Sequence, residues 1–257
     1  MTVALGIDIG GTGIKAAIVD TGTGELRTDR VKLATPKGGE PEPIVDTTLQ
    51  VIDRLGGVPD GAPVGICFPS VVKHGRTLTA NNISKAWIGL DAEARFASAI
   101  GRPIAFVNDA DAAGVAELEF GAAKDVTGTV IVTTLGTGIG SAFIWEGHLV
   151  PNVELGSIEL NGKMAERRAS YGAKERDDLS WKQWTKRLQE YYELLERVFS
   201  PDLFVVGGGV AKHADEFLPL LRLTTPIIPA RLLNSAGIIG AATLAARAQQ
   251  PGATPLE

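Results

Sequence analysis

Cysteine is nearly missing from this 257-residue chain: Cys67 is the only one. That excludes a disulfide framework within one chain and any zinc site built from several cysteines, and it points to a reducing compartment. Its neighbours Val64, Gly65, Ile66 and Phe68 are apolar, so Cys67 reads as a small buried residue. Histidine is also sparse. His74, His148 and His213 lie far apart and no pair has metal-ligand spacing, so no zinc is expected. No apolar run approaches a membrane span, and no basic stretch followed by an apolar one opens the sequence. A soluble, cytoplasmic protein without a membrane partner is expected. The net charge of −5 argues against a nucleic-acid partner. The P-loop pattern G-x-x-x-x-G-K-[ST] is absent as well.

What the chain does have is an ordinary globular composition, 44% hydrophobic and 21% charged, enough for one large domain or two lobes of roughly 120 residues each. It is organised around residues 3–20, VALGIDIGGTGIKAAIVD. An apolar run reads as a buried strand that ends at Asp8; the turn Gly10-Gly11-Thr12-Gly13 follows, then a second apolar run. Glycines permit φ > 0 and leave backbone N–H groups open to a ligand. Thr12 adds a hydroxyl and Lys15 a cation. A carboxylate repels phosphate, so Asp8 there is suited to holding Mg²⁺ or its waters. The plain alternative is a tight hairpin with an incidental Asp. A Rossmann turn is a third reading of 11–16, but it requires a helix that Thr21-Gly22-Thr23-Gly24 would break.

Further along, alternation predicts a third strand over 25–33, and 36–43 reads as a Pro- and Gly-rich loop. Apolar spacing predicts a helix over 44–55 and a strand over 63–68; a short hairpin involves 71–72 and 77–79. Asp91 is a candidate N-cap for a helix through Ile100, and 104–107 is the next strand. Together these predict an antiparallel meander continued by parallel βαβ units. The second half begins the same way. Gly-Thr-Gly-Ile at 11–14 recurs at 136–139, each copy set between apolar or β-branched runs, which reads as an internal duplication with one phosphate turn per half. A long helix is expected over 180–199 with Trp181 and Trp184 in its apolar stripe, read as core. A strand over 203–206 should lead through Gly207-Gly208-Gly209 into a helix, and 235–248 forms a small-residue helix.

Asn108-Asp109 stands at the carboxyl end of a strand and before the helical pattern 110–120, where α/β sheets place ligands. Asp109 is the candidate general base for a sugar hydroxyl attacking a phosphoryl group; the competing reading is a helix N-cap, a role Asn108 can fill instead. Asn81-Asn82 and Glu154 offer polar groups that pair with vicinal hydroxyls. Between 163 and 187, eight Lys or Arg face four Asp or Glu, either a solvated face or a surface for an extended polyanion.

Taken in order, Asp8-Ile9-Gly10-Gly11-Thr12, residues 108–113 (NDADAA) and residues 135–140 (LGTGIG) resemble the ROK family within the actin/hexokinase-like superfamily, over 5–246. Residues 80–89 (ANNISKAWIG), 154–160 (ELGSIEL) and 207–212 (GGGVAK) are most similar to its bacterial polyphosphate glucokinases, including the polyphosphate/ATP glucomannokinase type. The resemblance implies an α/β, two-lobed actin/hexokinase-like (ribonuclease H-like) fold with duplicated mixed β-sheet domains and a cleft between them. Its small lobe would span 1–108, completed by the helix 235–248; the large lobe would span 109–234, and 249–257 would be a loose tail.

It further implies phosphorylation of glucose, and of mannose, at the 6-hydroxyl with polyphosphate or ATP and Mg²⁺. Asp109 would be the base; Asn82, Ser84, Asn108, Asp109, Glu154 and Glu159 would hold the sugar; and Asp8 would seat the metal, directly or through water. Gly10, Gly11, Thr12, Gly13, Lys15, Gly136, Thr137, Gly138, Gly140, Gly208 and Gly209 would cradle the phosphates. Apart from the resemblance, the positive charge of the 163–187 segment, or Lys85 or Lys212, permits the rest of a long polyphosphate to bind there. The expected assembly is a monomer or homodimer. The sequence departs from the family twice. It lacks the Cys-rich zinc loop of many members, as the polyphosphate branch does, and Ser157 stands where a histidine commonly follows Glu-Leu-Gly, which invites looser discrimination at the sugar's C2. The alternatives are an ATP-only ROK hexokinase for another hexose, a ROK sugar-binding regulator, and an actin- or Hsp70-like ATPase. The regulator would carry a DNA-binding module ahead of the first strand, which is expected to start at Val3.

Overall fold

The structure, a computed structural model, describes residues 3–81 and 83–250. They form two compact units, residues 3–116 with 235–250, and residues 117–234.

In the first unit, β1 (Val3–Ile9) turns back as β2 (Ile14–Asp20), antiparallel with Asp8 opposite Lys15. β3 (Val31–Leu33) pairs with β2. The strand expected over 25–33 is confined to these three residues. Before them the chain is held to the end of β2 by single contacts rather than a ladder: Arg27 N–H donates to the Ile18 carbonyl at 2.7 Å, the Arg27 guanidinium pairs with Asp20, and Thr28 Oγ1 accepts from Ile18 N–H. Helix α1 (Pro41–Arg54) starts earlier than the apolar spacing predicted. Proline is suited to the first helical turn, where its missing N–H has no partner to lose and its φ already fits, so part of the expected Pro-rich loop is helix.

β4 (Val64–Phe68) runs parallel to β1. A small hairpin, β5 (Val72–Lys73) with β6 (Arg76–Thr77), follows, then α2 (Ala92–Ile100), whose Asp91 carboxylate accepts from Ala94 N–H at 3.1 Å. β7 (Ala105–Asn108) is parallel to β4 and leads into α3 (Asp109–Phe120). The sheet order β3-β2-β1-β4-β7 is the expected meander extended by parallel strands. One face buries Leu5, Ile7, Phe68, Trp87, Phe96 and Phe106.

The second unit repeats the plan. β8 (Thr129–Leu135) and β9 (Ile139–Trp145) form the hairpin, and β10 (His148–Val150) extends it. The hairpin β11 (Glu159–Leu160) with β12 (Lys163–Met164) precedes the short helices α4 (Ala165–Ala169) and α5 (Tyr171–Arg176) and the long α6 (Trp181–Phe199). Ser180 and Gln183 form a reciprocal capping box at the start of α6. Trp184 is fully buried and its indole N–H is shared by the Ala169 and Ser170 carbonyls; Trp181 packs at the edge against Tyr171 and Phe217. β13 (Leu203–Gly207) is parallel to β8. The helix expected after the triple glycine is only a 3-10 turn, Gly209–His213, before the four-residue α7 (Ala214–Phe217). Gly208 at φ 80° lies outside helical space, so the chain cannot run straight from strand to helix there. β14 (Ile227–Pro229) completes the order β10-β9-β8-β13-β14, the topology of the first sheet again.

The chain ends its described path with α8 (Ala236–Ala248), which returns to the first unit. Its composition follows from the space available. A Cβ on Gly6 would come within 2.0 Å of the Ile238 carbonyl oxygen, and one on Gly65 within 1.9 Å of that of Ala241. On the α3 side, a Cβ on Gly240 would lie 1.7 Å from the Ala112 carbonyl oxygen. The helix is held between sheet and α3 at backbone contact distance. Among the described residues no helix is long and apolar enough to cross a membrane. Residues 251–257 of the expected tail, and Asn82, lie outside the described residues.

Candidate functional site

In the first unit the parallel strands β1, β4 and β7 deliver Asp8, Cys67 and Asn108 to their carboxyl ends, with Asp8 beside Cys67 and Phe68 beside Asn108. Asn108 is buried, and its Oδ1 accepts from the N–H groups of Ala110 at 2.8 Å and Asp111 at 3.0 Å, while Nδ2 donates to the Ser70 carbonyl. The cap of α3 is therefore Asn108, which keeps one amide hydrogen for a further acceptor. Asp109 is half-buried in the first helical turn. Cys67 is enclosed and its thiol is pushed well up, first by burial and then by the negative charges of Asp8 and Asp109, so it stays protonated and unreactive.

Lys15 Nζ meets Asp8 Oδ2 at 2.9 Å. The turn after Asp8 closes by Gly10 N–H donating to the Gly13 carbonyl at 3.0 Å, with Gly11 and Thr12 exposed at its tip. None of Gly10, Gly11 and Gly13 has positive φ, so this turn does not use left-handed backbone at its glycines. A Cβ at Gly13 would meet the end of the flexible Lys32 side chain at 2.7 Å and the Leu33 carbonyl oxygen at 3.2 Å. Among the described residues no group of three or more His, Cys, Asp or Glu converges to hold a metal. Mg²⁺, which keeps several waters and is completed by substrate phosphates, asks for only one or two carboxylates, and Asp8 beside the glycine turn fits that demand.

In the second unit the turn after β8 closes by Gly136 N–H donating to Gly138, and α5 rests on it: Gly172 N–H donates to the Gly136 carbonyl at 2.9 Å. A Cβ at Gly172 would lie 2.7 Å from the Thr137 carbonyl oxygen. Gly208 passes beside the same strand end, where a Cβ would meet the Leu135 carbonyl oxygen at 2.5 Å. Gly136 and Gly209 differ from these, because nothing lies within 4 Å of a Cβ at either and neither has positive φ. The fold does not require glycine at either position. Gly140 pairs with Thr134 inside the hairpin.

Glu154 sits in a loop clamped by Ser141, whose hydroxyl donates to the Val153 carbonyl and accepts from Leu155 N–H at 2.9 Å. Gly156 is pressed on the Ile139 carbonyl oxygen, 2.2 Å from where its Cβ would stand. Burial, then the charge of Glu166, raises the Glu154 carboxyl above its ordinary range. Two expected sugar ligands have other surroundings, and a third is not described. The Ser84 hydroxyl caps the turn Lys85–Trp87 and donates to Glu40 at 2.8 Å; Glu159 is exposed on β11; Asn82 is outside the described residues. Ser157 is exposed in the 3-10 turn Leu155–Ser157.

The sequence reading did not single out Ser141 and Gly172. Ser141 follows directly on the repeated glycine motif and could have been found there; Gly172 sits in a helix and carried no local signal. Glu117 was also missed. It is a buried carboxylate accepting from the N–H groups of Ala122, Arg231 and Leu232, and it serves as an anchor for the second unit.

The ROK family profile matches residues 4–156. The chain is 44% identical over 238 residues to a polyphosphate glucokinase of Mycobacterium tuberculosis (strain CDC 1551 / Oshkosh), covering 92% of this chain and 89% of that one. Among solved structures it matches the inorganic polyphosphate/ATP-glucomannokinase of Arthrobacter sp. strain KM at 50% identity and a TM-score of 0.92, covering 96% and 99% of the two chains. A ROK glucokinase from Streptomyces griseus, solved with glucose and AMPPNP, matches at 25% identity and a TM-score of 0.79 over 95% and 99%. These neighbours share the two-lobed actin/hexokinase-like fold. The chain belongs to the ROK family, as a phosphotransferase of its sugar-kinase branch.

Proposed function

We propose that this kinase transfers the terminal phosphoryl group of inorganic polyphosphate or ATP to the 6-hydroxyl of glucose, with mannose as a second acceptor, in the cytoplasm. The observation that carries the reading is at α3: Asn108 caps the helix, and the neighbouring Asp109 stands half-buried in its first turn, at the carboxyl end of β7. Asp109 takes the proton as the sugar oxygen forms its bond to phosphorus and the bond from phosphorus to the leaving phosphate oxygen breaks. The glycine turns with Gly10 to Gly13 and Gly136 to Gly140, together with Gly208 and Gly209, receive the phosphates through backbone N–H groups, and Lys15 adds positive charge. Asp8 would hold Mg²⁺, directly or through water, and the ion would neutralise the donor phosphates when bound. Asn108, Glu154, Ser84, Glu159 and Asn82 are the proposed sugar contacts. Support comes from the glucose- and mannose-kinase relatives and from the duplicated strand-end geometry.

6-Deoxyglucose, which lacks the accepting hydroxyl, is expected to compete with glucose and to receive no phosphate, while glucose and mannose both turn over. Phosphorylated 6-deoxyglucose, or mannose left untouched, would contradict the corresponding part of the reading.

Glu154 sets an acid limb. Its carboxylate form accepts sugar hydroxyls, and burial raises its folded pKa, so glucose KM should rise as pH falls through that raised pKa. Glu166→Gln removes one cause of that elevation, so the limb should move to lower pH in a pH profile of kcat/KM. A limb that stays in place would sever Glu154 from sugar binding.

A further inference from the structure

A cavity of about 830 Å³ in the second unit is lined by Lys163, Arg167, Arg168, Arg176, Asp177 and Arg187 with Gly162 and Met164. Its charge is only partly neutralised. Arg176 and Arg187 share Asp177, at 2.9 and 2.6 Å, and Arg168 pairs with Glu190. Lys163 and Arg167 are exposed and, among the described residues, make no ion pair. Arg168 Nε is buried without a hydrogen-bond partner, an unmet donor inside a cationic wall. Hydrogen bonds from Arg176 and Arg187 hold the Asp177 carboxyl down at about 2. A ligand for this cavity must be an anion, and guanidinium forks favour phosphate oxygens.

The cavity is tied to the reaction by the chain itself. Arg167 and Arg168 lie in α4 and Arg176 in α5, and α5 is bonded through Gly172 to the second glycine turn. The cationic wall is thus built on the segment that braces a proposed phosphate cradle. ATP has three phosphates and then a nucleoside. A linear polyphosphate carries charge along its whole length and has no base to place, so one chain can offer phosphates to the turn and to a row of separate cations.

We propose that this basin binds the distal part of an inorganic polyphosphate chain and gives the enzyme its affinity for long-chain donor over ATP. The proposal rests on the reading that polyphosphate is a donor. Lys163 and Arg167 supply the charge that the internal ion pairs leave over, so they dominate the binding, while the paired arginines shape the wall.

The test is the double variant Lys163→Glu/Arg167→Glu, both positions exposed and outside the proposed catalytic contacts. The KM for long-chain polyphosphate should rise about tenfold with kcat unchanged, while the KM values for ATP and glucose stay within about twofold. Equilibrium binding of long-chain polyphosphate, measured without sugar, should weaken by a similar factor. Wild-type turnover of polyphosphate with the same KM in the variant overturns the basin and leaves the donor reading standing. If the wild type turns over ATP alone yet binds polyphosphate through these two residues, the donor reading falls and the basin stands. Equal displacement of polyphosphate by an RNA homopolymer at matched phosphate concentration would make the basin a general polyanion surface and defeat the proposal.

Discussion

Asp109→Asn should leave a folded enzyme that binds glucose and transfers phosphate about 10²–10⁴-fold more slowly, the range that a positioned general base contributes. The expected loss is in kcat, with glucose KM changing little, because the amide keeps the shape and polarity of the side chain and loses only its ability to take a proton. Stability should be nearly unchanged. The two hydrogen bonds that cap α3 come from Asn108, which the substitution does not touch. Thermal unfolding beside steady-state kinetics separates the outcomes: slow transfer with an unchanged Tm supports the base, and a large fall in Tm would mean that Asp109 holds the fold. A variant with wild-type kcat would remove Asp109 from the chemistry altogether.

The second large effect is on stability, and it separates two kinds of glycine. Gly240→Ala places a methyl 1.7 Å from the Ala112 carbonyl oxygen, a backbone atom that cannot swing away. Both residues belong to the first unit, so α8 must lift from α3 or shift on the sheet, and its other side is equally tight at Gly6 and Gly65. A loss of about 3 kcal/mol is expected, at the upper end of overpacking costs, read as a fall in denaturant midpoint. Gly136→Ala has the opposite signature. Its Cβ enters open space with no backbone strain, so stability should hold while donor KM rises, because the methyl fills room proposed for phosphate. Equal stability losses in the two variants would show that the turn glycine is structural and that the open space beside it is not a binding feature.

These two variants also show where the sequence was readable and where it was not. The duplication was visible as Gly-Thr-Gly-Ile set between apolar runs, and the two sheets repeat one order around those motifs. The Asp91 cap and the Ser180 helix start were visible because capping chemistry is local. Failures came where the deciding contact was distant or competing. Alternation over 25–33 looked like a full strand, yet Asp20 and Arg27 pair and divert the chain, leaving β3 only three residues. Prolines at 41 and 43 read as a loop, although proline at a helix start is compatible with the helix.

At the site, residue types and order were legible and their surroundings were not. Asn108 and Asp109 were adjacent candidates for one cap, and only the hydrogen bonds to Ala110 and Asp111 assign it to Asn108. Glu154 was a lone carboxylate in the sequence; its clamp by Ser141 and its elevated pKa arise from contacts across the loop. The basic 163–187 segment could be counted, but its division into internally paired arginines and the unpaired Lys163 and Arg167 needed three dimensions.

The most direct measurement is glucose 6-phosphate formation by the wild-type protein with Mg²⁺, using long-chain polyphosphate and ATP as separate donors. The account predicts product from glucose with polyphosphate and also with ATP. Absence of glucose 6-phosphate with both donors would contradict it.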